Sequence, residues 1–253
     1  MARARSPSFL QLLSHDLRWT IVTALARSDH HVKELVALVG EQPNLVSYHL
    51  KKLRDRQLVT ERRSSADGRD VYYTLDLDLL RDMYLATGEA LHPGMNVSDT
   101  DERNPETHAS DRPSRVLFLC TANSARSQMA EGITRCLGGE CIDVFSAGSQ
   151  PSAIHPEAVR VLAELGIDAS AYRSKHLDEF CPQRFDYIIT VCDRVREACP
   201  VFPGDPERIH WSFSDPALIE DEGQRREAFD RTARELGTRI RHLLVRIDRE
   251  KCQ

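Results

Sequence analysis

Residues 115–132 read RVLFLCTANSARSQMAEG, and the fold of more than half the chain turns on how that stretch is read. Arg115 to Leu119 is a short apolar run of the kind that forms a buried strand. It passes directly into Cys120-Thr121-Ala122-Asn123-Ser124-Ala125-Arg126-Ser127, and helical spacing resumes at Gln128-Met129-Ala130-Glu131. A C-x5-R spacing by itself occurs often by chance. Placed between a strand and a helix, with small residues in the loop, it has a physical logic. The loop wraps successive backbone N–H groups around a tetrahedral oxyanion, and the helix N-terminus adds partial positive charge. Arg126 offers a planar fork for two oxygens. The same field is expected to lower the pKa of Cys120, so that it attacks as the thiolate. Thr121 to Ser127 are thus the expected oxyanion-binding residues, with Cys120 as nucleophile.

Such a nucleophile needs a general acid on another loop, able to protonate a leaving oxygen. His210-Trp211-Ser212-Phe213-Ser214-Asp215-Pro216-Ala217 supplies Asp215. A second pair of cysteines stands at Val191-Cys192-Asp193 and Ala198-Cys199-Pro200. A helix running from Cys192 to Cys199 would hold its ends roughly 10 Å apart. A disulfide tolerates a Cα separation of only about 4.4–6.8 Å, so joining the two requires that segment to distort or unwind.

Outward from this region the chain changes character. Residues 92–114, HPGMNVSDTDERNPETHASDRPS, hold three prolines, clustered small polar residues and almost nothing apolar, as expected of a flexible linker. Two domains follow, 1–91 and 115–253. Before the linker the spacing is mostly helical. Leu13, Leu17, Ile21 and Leu25 predict a helix over residues 10–26. Val32 to Val39 predicts a second, ended by Gly40, and Pro43 suits the first turn of a third that continues to about Gln57. Leu58–Arg63 and Asp70–Leu75 predict two strands around a polar turn, and Asp76–Leu91 a final helix suited to dimerisation. Helix, turn, helix and hairpin is the order of a winged helix-turn-helix, mostly α with a β-hairpin wing. After the linker, strands and helices alternate in an α/β pattern.

The third of these helices would enter the major groove with its N-terminal residues at base edges. It offers Gln42, Asn44, Ser47, Tyr48 and His49. Lys51, Lys52 and Arg54 follow, and the hairpin adds Arg62, Arg63 and Arg69. From Ser47 to Arg69 there are seven basic residues against three acidic. That excess is local, because residues 1–91 carry a net +1 and the protein as a whole −5, so it is not a general polyanion binder.

Composition narrows the class further. The chain has 253 residues, 41% hydrophobic and 29% charged, with no apolar run near the ~20 residues a bilayer demands. No secretory leader is read at its start, so a cytoplasmic protein without membrane association is expected. All seven cysteines (120, 136, 141, 181, 192, 199 and 252) lie in the second half, and an odd number argues against a disulfide framework.

The segments LVSYHLKKLRDRQLV (45–59) and ERRSSADGRDVYYTL (61–75) closely resemble the ArsR family of metal-responsive repressors. The resemblance covers about residues 8–91 and implies operator DNA as partner and a homodimer formed through this domain. Where arsenic-sensing relatives carry paired cysteines, this chain reads Glu34-Leu35-Val36-Ala37-Leu38-Val39, so a thiolate site for arsenite within the domain is ruled out. Some relatives bind zinc on the last helix. Asp76, Asp78 and His92, with His30 and His31 in a loop, match that set incompletely and read as exposed polar residues.

Residues 115–132, FSAG (145–148) and HWSFSDPA (210–217) resemble the low-molecular-weight protein tyrosine phosphatase fold, with its central parallel sheet, and more closely its arsenate reductase branch. Reductases that draw electrons from thioredoxin carry two cysteines at the Cys192/Cys199 spacing. Tyrosine phosphatases of this fold tend to carry tyrosines where Ala217 and Leu218 stand. The resemblance implies that Cys120 attacks arsenate held by Arg126 and Asp215 protonates the departing hydroxyl. Cys192 then attacks Cys120, and Cys199 attacks Cys192, leaving a disulfide for thioredoxin. Neither cofactor nor metal enters this scheme, and Cys136, Cys141, Cys181 and Cys252 have no matching role. Relatives usually have glycine where Ala122 stands, which fits only if the backbone there is ordinary. Relatives that bind potassium use Asn, Glu, Ser and Asp. Asn123, Glu131 and Ser146 match, but Lys175 replaces the Asp, so its ammonium is expected to stand in for the ion and activity to be independent of potassium. Two other readings stay open: a phosphatase fused to the same repressor, and a second domain that senses arsenite through Cys120, Cys192 and Cys199.

Overall fold

The computed structural model describes residues 8–66, 68–92 and 112–251, with the backbone only at Lys251. The chain divides into two compact units, each with its own hydrophobic core. Residues 93–111, most of the expected linker, lie outside the described residues, and Ser114 already opens a strand.

The N-terminal unit begins with α1 (Ser8–Leu13) and α2 (Asp16–Leu25) where the spacing predicts one helix. The break falls at His15, whose extended backbone (φ −94°, ψ 123°) caps α2 while its ring accepts a hydrogen bond from the Leu17 N–H at 3.2 Å. Leu17, Ile21, Val22 and Leu25 are then buried against Leu35 of α3 (Val32–Val39) and against Val46, Leu50 and Leu53 of α4 (Pro43–Arg54). Gly40 ends α3 at φ 69°, the left-handed conformation a C-cap glycine adopts. The hairpin is β2 (Val59–Arg63) against β3 (Val71–Leu75), antiparallel, with Val59 opposite Leu75 and Arg63 opposite Val71. His30–His31, read as loop, form a two-residue strand β1 on the other edge of β3. Asp76 caps α5 (Leu77–Leu91).

The second unit is built on a four-stranded sheet in the order β5-β4-β6-β7, with every neighbouring pair parallel. Its strands are β4 (Ser114–Cys120), β5 (Ile142–Gly148), β6 (Tyr187–Thr190) and β7 (Glu207–His210). Strand β4 is central and unbroken in its burial from Val116 to Cys120, as an internal parallel strand should be. Helices α6 (Arg126–Gly138), α7 (Pro156–Glu164) and α9 (Glu222–Lys251) pack on one another, and α6 also covers β4 and β5. The short α8 (Asp193–Glu197) packs on β4 and β6. The carboxyl end of β4, the loop after it and the start of α6 therefore stand at the rim of a buried sheet, where ligands of open α/β folds gather.

Candidate functional site

The loop after β4 is held from outside by its own carbonyl oxygens. The Thr121 oxygen accepts from the Gln150 N–H (2.8 Å), that of Ala122 from Ser152 (2.9 Å) and that of Ser124 from His155 (2.9 Å). The Asn123 oxygen accepts from Gln128 Nε2 (3.0 Å) and the Ser174 hydroxyl (2.7 Å). Four successive carbonyls are thus tied outward, and the N–H of Asn123 points inward, donating to Cys120 Sγ at 3.1 Å. Gly148 permits the close approach: a Cβ there would meet the Thr121 oxygen at 2.5 Å. Ala122 has no left-handed φ, so alanine fits the loop without strain.

Asn123 does adopt the left-handed region, at φ 46°, and its side chain shows why it is tolerated. Its amide nitrogen donates to Ser127 Oγ (2.9 Å) and Ser146 Oγ (2.8 Å), and its amide oxygen accepts from the Lys175 N–H (2.8 Å) and from Gln128 (3.1 Å). Ser146 donates onward to Glu131 Oε2 at 2.6 Å, and Lys175 Nζ lies 3.0 Å from the same oxygen. Arg135 Nη2 holds the other oxygen at 2.7 Å. The structure thus gathers Asn123, Glu131, Ser146 and Lys175 into one buried network behind the loop. Gln128 and Ser174 belong to it as well, and nothing in their local sequence marked them.

Cys120 is 2% exposed, with Ser127 Oγ 2.9 Å from its sulfur. Burial pushes its thiol up, more than the Arg126 guanidinium and the Ser127 hydroxyl pull it down, and the nearby Cys192 adds to the rise. The positive groups expected to lower the pKa are where the sequence put them, and desolvation of the enclosed sulfur opposes them. Arg126 directs Nη1 to the Phe213 carbonyl (3.0 Å) and Nη2 to Asp215 Oδ2 (2.5 Å). Asp215 is therefore brought to the loop, with its other oxygen accepting from the Ala217 N–H at 3.2 Å.

Cys192 is buried with its sulfur 3.4 Å from Thr121 Oγ1, on the side of the site that faces Cys120. Helix α8 occupies the five residues after it, and Cys199 lies beyond the helix, half-buried beside Arg208. Both are free thiols. Beneath α8 the Asp193 Oδ1 atom accepts from the Ser212 hydroxyl (2.8 Å) and pairs with His210 Nε2 (3.1 Å), whose Nδ1 meets Thr190 Oγ1 at 2.8 Å. Asp193, Thr190 and Ser212 carry no motif of their own. Asp193, His210 and Ser212 do stand in the stretches that carry Cys192 and Asp215, whereas Thr190 stands in neither.

In the N-terminal unit Gln42, Asn44, Ser47, Tyr48, Lys51 and Lys52 form an exposed face of α4, with Lys52 Nζ 5.4 Å from the Tyr48 ring centre. Arg54 is exposed but paired to Glu61 at 2.5 Å. Arg63 and Arg69 are exposed and Arg62 half-buried on the hairpin. His49 is different. It is 2% exposed, its ring centre lies 4.3 Å from that of His15, and Arg18 Nη1 approaches its Nδ1 at 3.4 Å. The expectation that His49 reads bases is corrected, because it lies on the stripe of Val46, Leu50 and Leu53 that the helical period turns inward. His31 and Asp76 are helix caps, and no cluster of three metal-ligating side chains occurs among the described residues.

Residues 115–253 match the family described as low molecular weight phosphotyrosine protein phosphatase, and residues 15–61 match that of bacterial regulatory proteins of the arsR type. An arsenate reductase of Halalkalibacterium halodurans is 41% identical over 127 residues, which are 50% of this chain and 91% of that protein. One from Brevibacillus brevis is 40% identical over 126 residues, 50% of this chain and 90% of the relative. A solved structure described as an arsenate reductase in oxidized state is 30% identical, covers 53% of this chain and 98% of its own, and superposes with a TM-score of 0.47. No helix among the described residues is long and apolar enough to cross a membrane.

Proposed function

The chain belongs to the low molecular weight phosphotyrosine protein phosphatase family through residues 115–253, and on that basis we propose that it is an arsenate reductase joined to an arsR-type DNA-binding regulator. One observation carries the choice of reductase over phosphatase. Cys192 presents a second thiol to the nucleophile's loop, 3.4 Å from Thr121 Oγ1, and a phosphate ester hydrolase has no use for it.

Arsenate enters the cradle of N–H groups, and Arg126 exchanges its contact with Asp215 for the oxyanion. Asp215, freed from that contact as a carboxylate, takes the proton of Cys120 and passes it to the departing hydroxyl. Cys120 loses its proton and attacks arsenic, forming an S–As bond as water leaves. Cys192 attacks Cys120 Sγ: an S–S bond forms, the S–As bond breaks, and its electron pair departs with arsenic as arsenite. Cys199 then attacks Cys192, releasing Cys120 as thiolate. Because α8 separates Cys192 from Cys199, it must open for that bond to close. A dithiol protein such as thioredoxin is the reductant this scheme calls for.

The N-terminal domain binds operator DNA through Gln42, Asn44, Ser47, Tyr48, Lys51 and Lys52 of α4 and the arginines of the hairpin, as a homodimer. The domain bounds are 1–91 and 115–253, and the protein works in the cytoplasm.

The test is arsenate-dependent NADPH oxidation with thioredoxin and thioredoxin reductase. Turnover that is lost in both Cys192→Ala and Cys199→Ala supports the reductase and its relay. Absence of turnover, with efficient hydrolysis of an aryl phosphate, refutes it in favour of a phosphatase.

A further inference from the structure

Four cysteines stand outside the relay, and one of them has a relay member for a neighbour. Cys181 lies two residues past a short 3-10 turn (Leu177–Glu179), with its N–H bound to the Leu177 carbonyl at 3.2 Å. Cys199 lies on the loop after α8. Two contacts clasp the segments that carry them. Phe185 packs edge-on against Phe202 at 6.0 Å, and the side chain of Arg184 runs beneath Gly204, 3.5 Å from where a Cβ would stand. Both sulfurs pack on the same core, and a charge on Cys181 is felt by Cys199. Cys181 is half-exposed, whereas Cys192 is buried.

We propose that Cys181 is a fourth redox cysteine, taking the disulfide over from the Cys192–Cys199 pair so that the relay ends as Cys181–Cys199. The inference rests on the reductase reading for the origin of the disulfide, but the pairing itself does not. The Cys181 thiolate attacks Cys199 Sγ, an S–S bond forms between them, and the Cys192–Cys199 bond breaks. Cys192 leaves as thiolate and takes up the proton that Cys181 gave. One disulfide and one thiol stand on each side, so the exchange needs no outside oxidant or reductant.

The opening of α8 drives the exchange forward: the Cys192–Cys199 bond requires it, and transfer of the bond lets α8 close again over Cys192. The outcome is functional: the disulfide offered to the reductant sits on a half-exposed cysteine, and Cys192 is restored beside Cys120 for the next turnover.

Trypsin separates the three cysteines cleanly, into peptides 176–184, 185–194 and 197–208. The full-length reduced protein would be treated with one equivalent of arsenate, and in parallel with one equivalent of diamide, then alkylated and mapped by mass spectrometry without reduction. We expect the 176–184/197–208 linkage to exceed the 185–194/197–208 linkage by about tenfold in both arms, and Cys181→Ser to reverse the order. Cys181 recovered fully alkylated in the diamide arm, with 185–194 joined to 197–208, overturns the proposal. Failure of arsenate to form any disulfide overturns the reductase reading instead, and the diamide arm still decides the pair.

Discussion

Replacing Lys175 by methionine would remove one of three partners from a carboxylate that has almost no access to water. Glu131 is 5% exposed and holds Ser146 Oγ at 2.6 Å, Arg135 Nη2 at 2.7 Å and Lys175 Nζ at 3.0 Å. Breaking a buried ion pair by removing one member typically costs about 3–5 kcal/mol. Here the Arg135 contact survives, and Arg135 is half in solvent, so the loss should fall below that range, at roughly 2–3 kcal/mol. For a domain of this size, roughly 3 °C per kcal/mol translates this into a fall in Tm of about 6–9 °C. The assay is calorimetry of the full chain, following the transition of the larger domain. Because the network also braces Asn123, arsenate turnover should fall with it. In the variant, potassium chloride should recover part of both losses where sodium chloride does not, since Asn123, Ser146 and Glu131 would then surround an unfilled cationic position. A fall in Tm under about 2 °C, or a clear rate increase with potassium in the unmodified protein, would refute the claim that the ammonium occupies the place of an ion.

Asp215→Asn should move two readouts in opposite directions. Turnover falls on the order of 10²- to 10⁴-fold as the general acid is lost, while alkylation of Cys120 at neutral pH speeds up, because Arg126 no longer shares its charge with a carboxylate; slower alkylation would count against the pairing. Lys51→Ala with Lys52→Ala should lower the slope of log affinity for operator DNA against log salt by about 1 each, measured by fluorescence anisotropy, and an unchanged slope would remove α4 from the interface. Burial, with His15 and Arg18 adding to it, pushes the pKa of His49 below its ordinary value. A lowered histidine contributes stability that is fully present above about pH 6.5 and lost as pH falls through the folded value, so the N-terminal domain should unfold more easily at pH 5 than at pH 7. In His49→Gln that difference should shrink; a difference of the same size in both proteins would assign it to other groups.

What could be read in the sequence followed from how local each feature is. Cys120 to Ser127 are eight consecutive residues running from the end of β4 into the first turn of α6, so spacing alone placed Cys120, Arg126 and Ser127 together. The winged helix was legible because its signals (Gly40, Pro43 and the turn around Gly68) sit at the element ends. The single helix over residues 10–26 failed because its apolar spacing continues across a break that only the capping ring of His15 reveals. For His49 the period contains the answer that its polarity masks: positions 46, 49, 50 and 53 form one stripe, and the helix turns all four inward. The link from Asp193 to His210, Thr190 and Ser212 was beyond reach, because those residues meet only when β6 and β7 pair.

The raised Cys120 thiol and the Arg126–Asp215 pair are two parts of one arrangement. Enclosure of the sulfur disfavours its thiolate, and a guanidinium closed on a carboxylate presents little free charge to stray anions. In the proposed mechanism a tetrahedral oxyanion undoes both at once: it competes with Asp215 for the Arg126 fork and occupies the loop whose carbonyls are tied outward beforehand. The cost of assembling the site is therefore met during folding, by the Asn123 network and the carbonyl ties, and the binding energy of the substrate is left to switch the two ionisable groups. Selectivity then lies at the sulfur. In the proposed relay only an arsenic adduct can leave with an electron pair when Cys192 attacks, so arsenate is told from phosphate after binding, at the adduct.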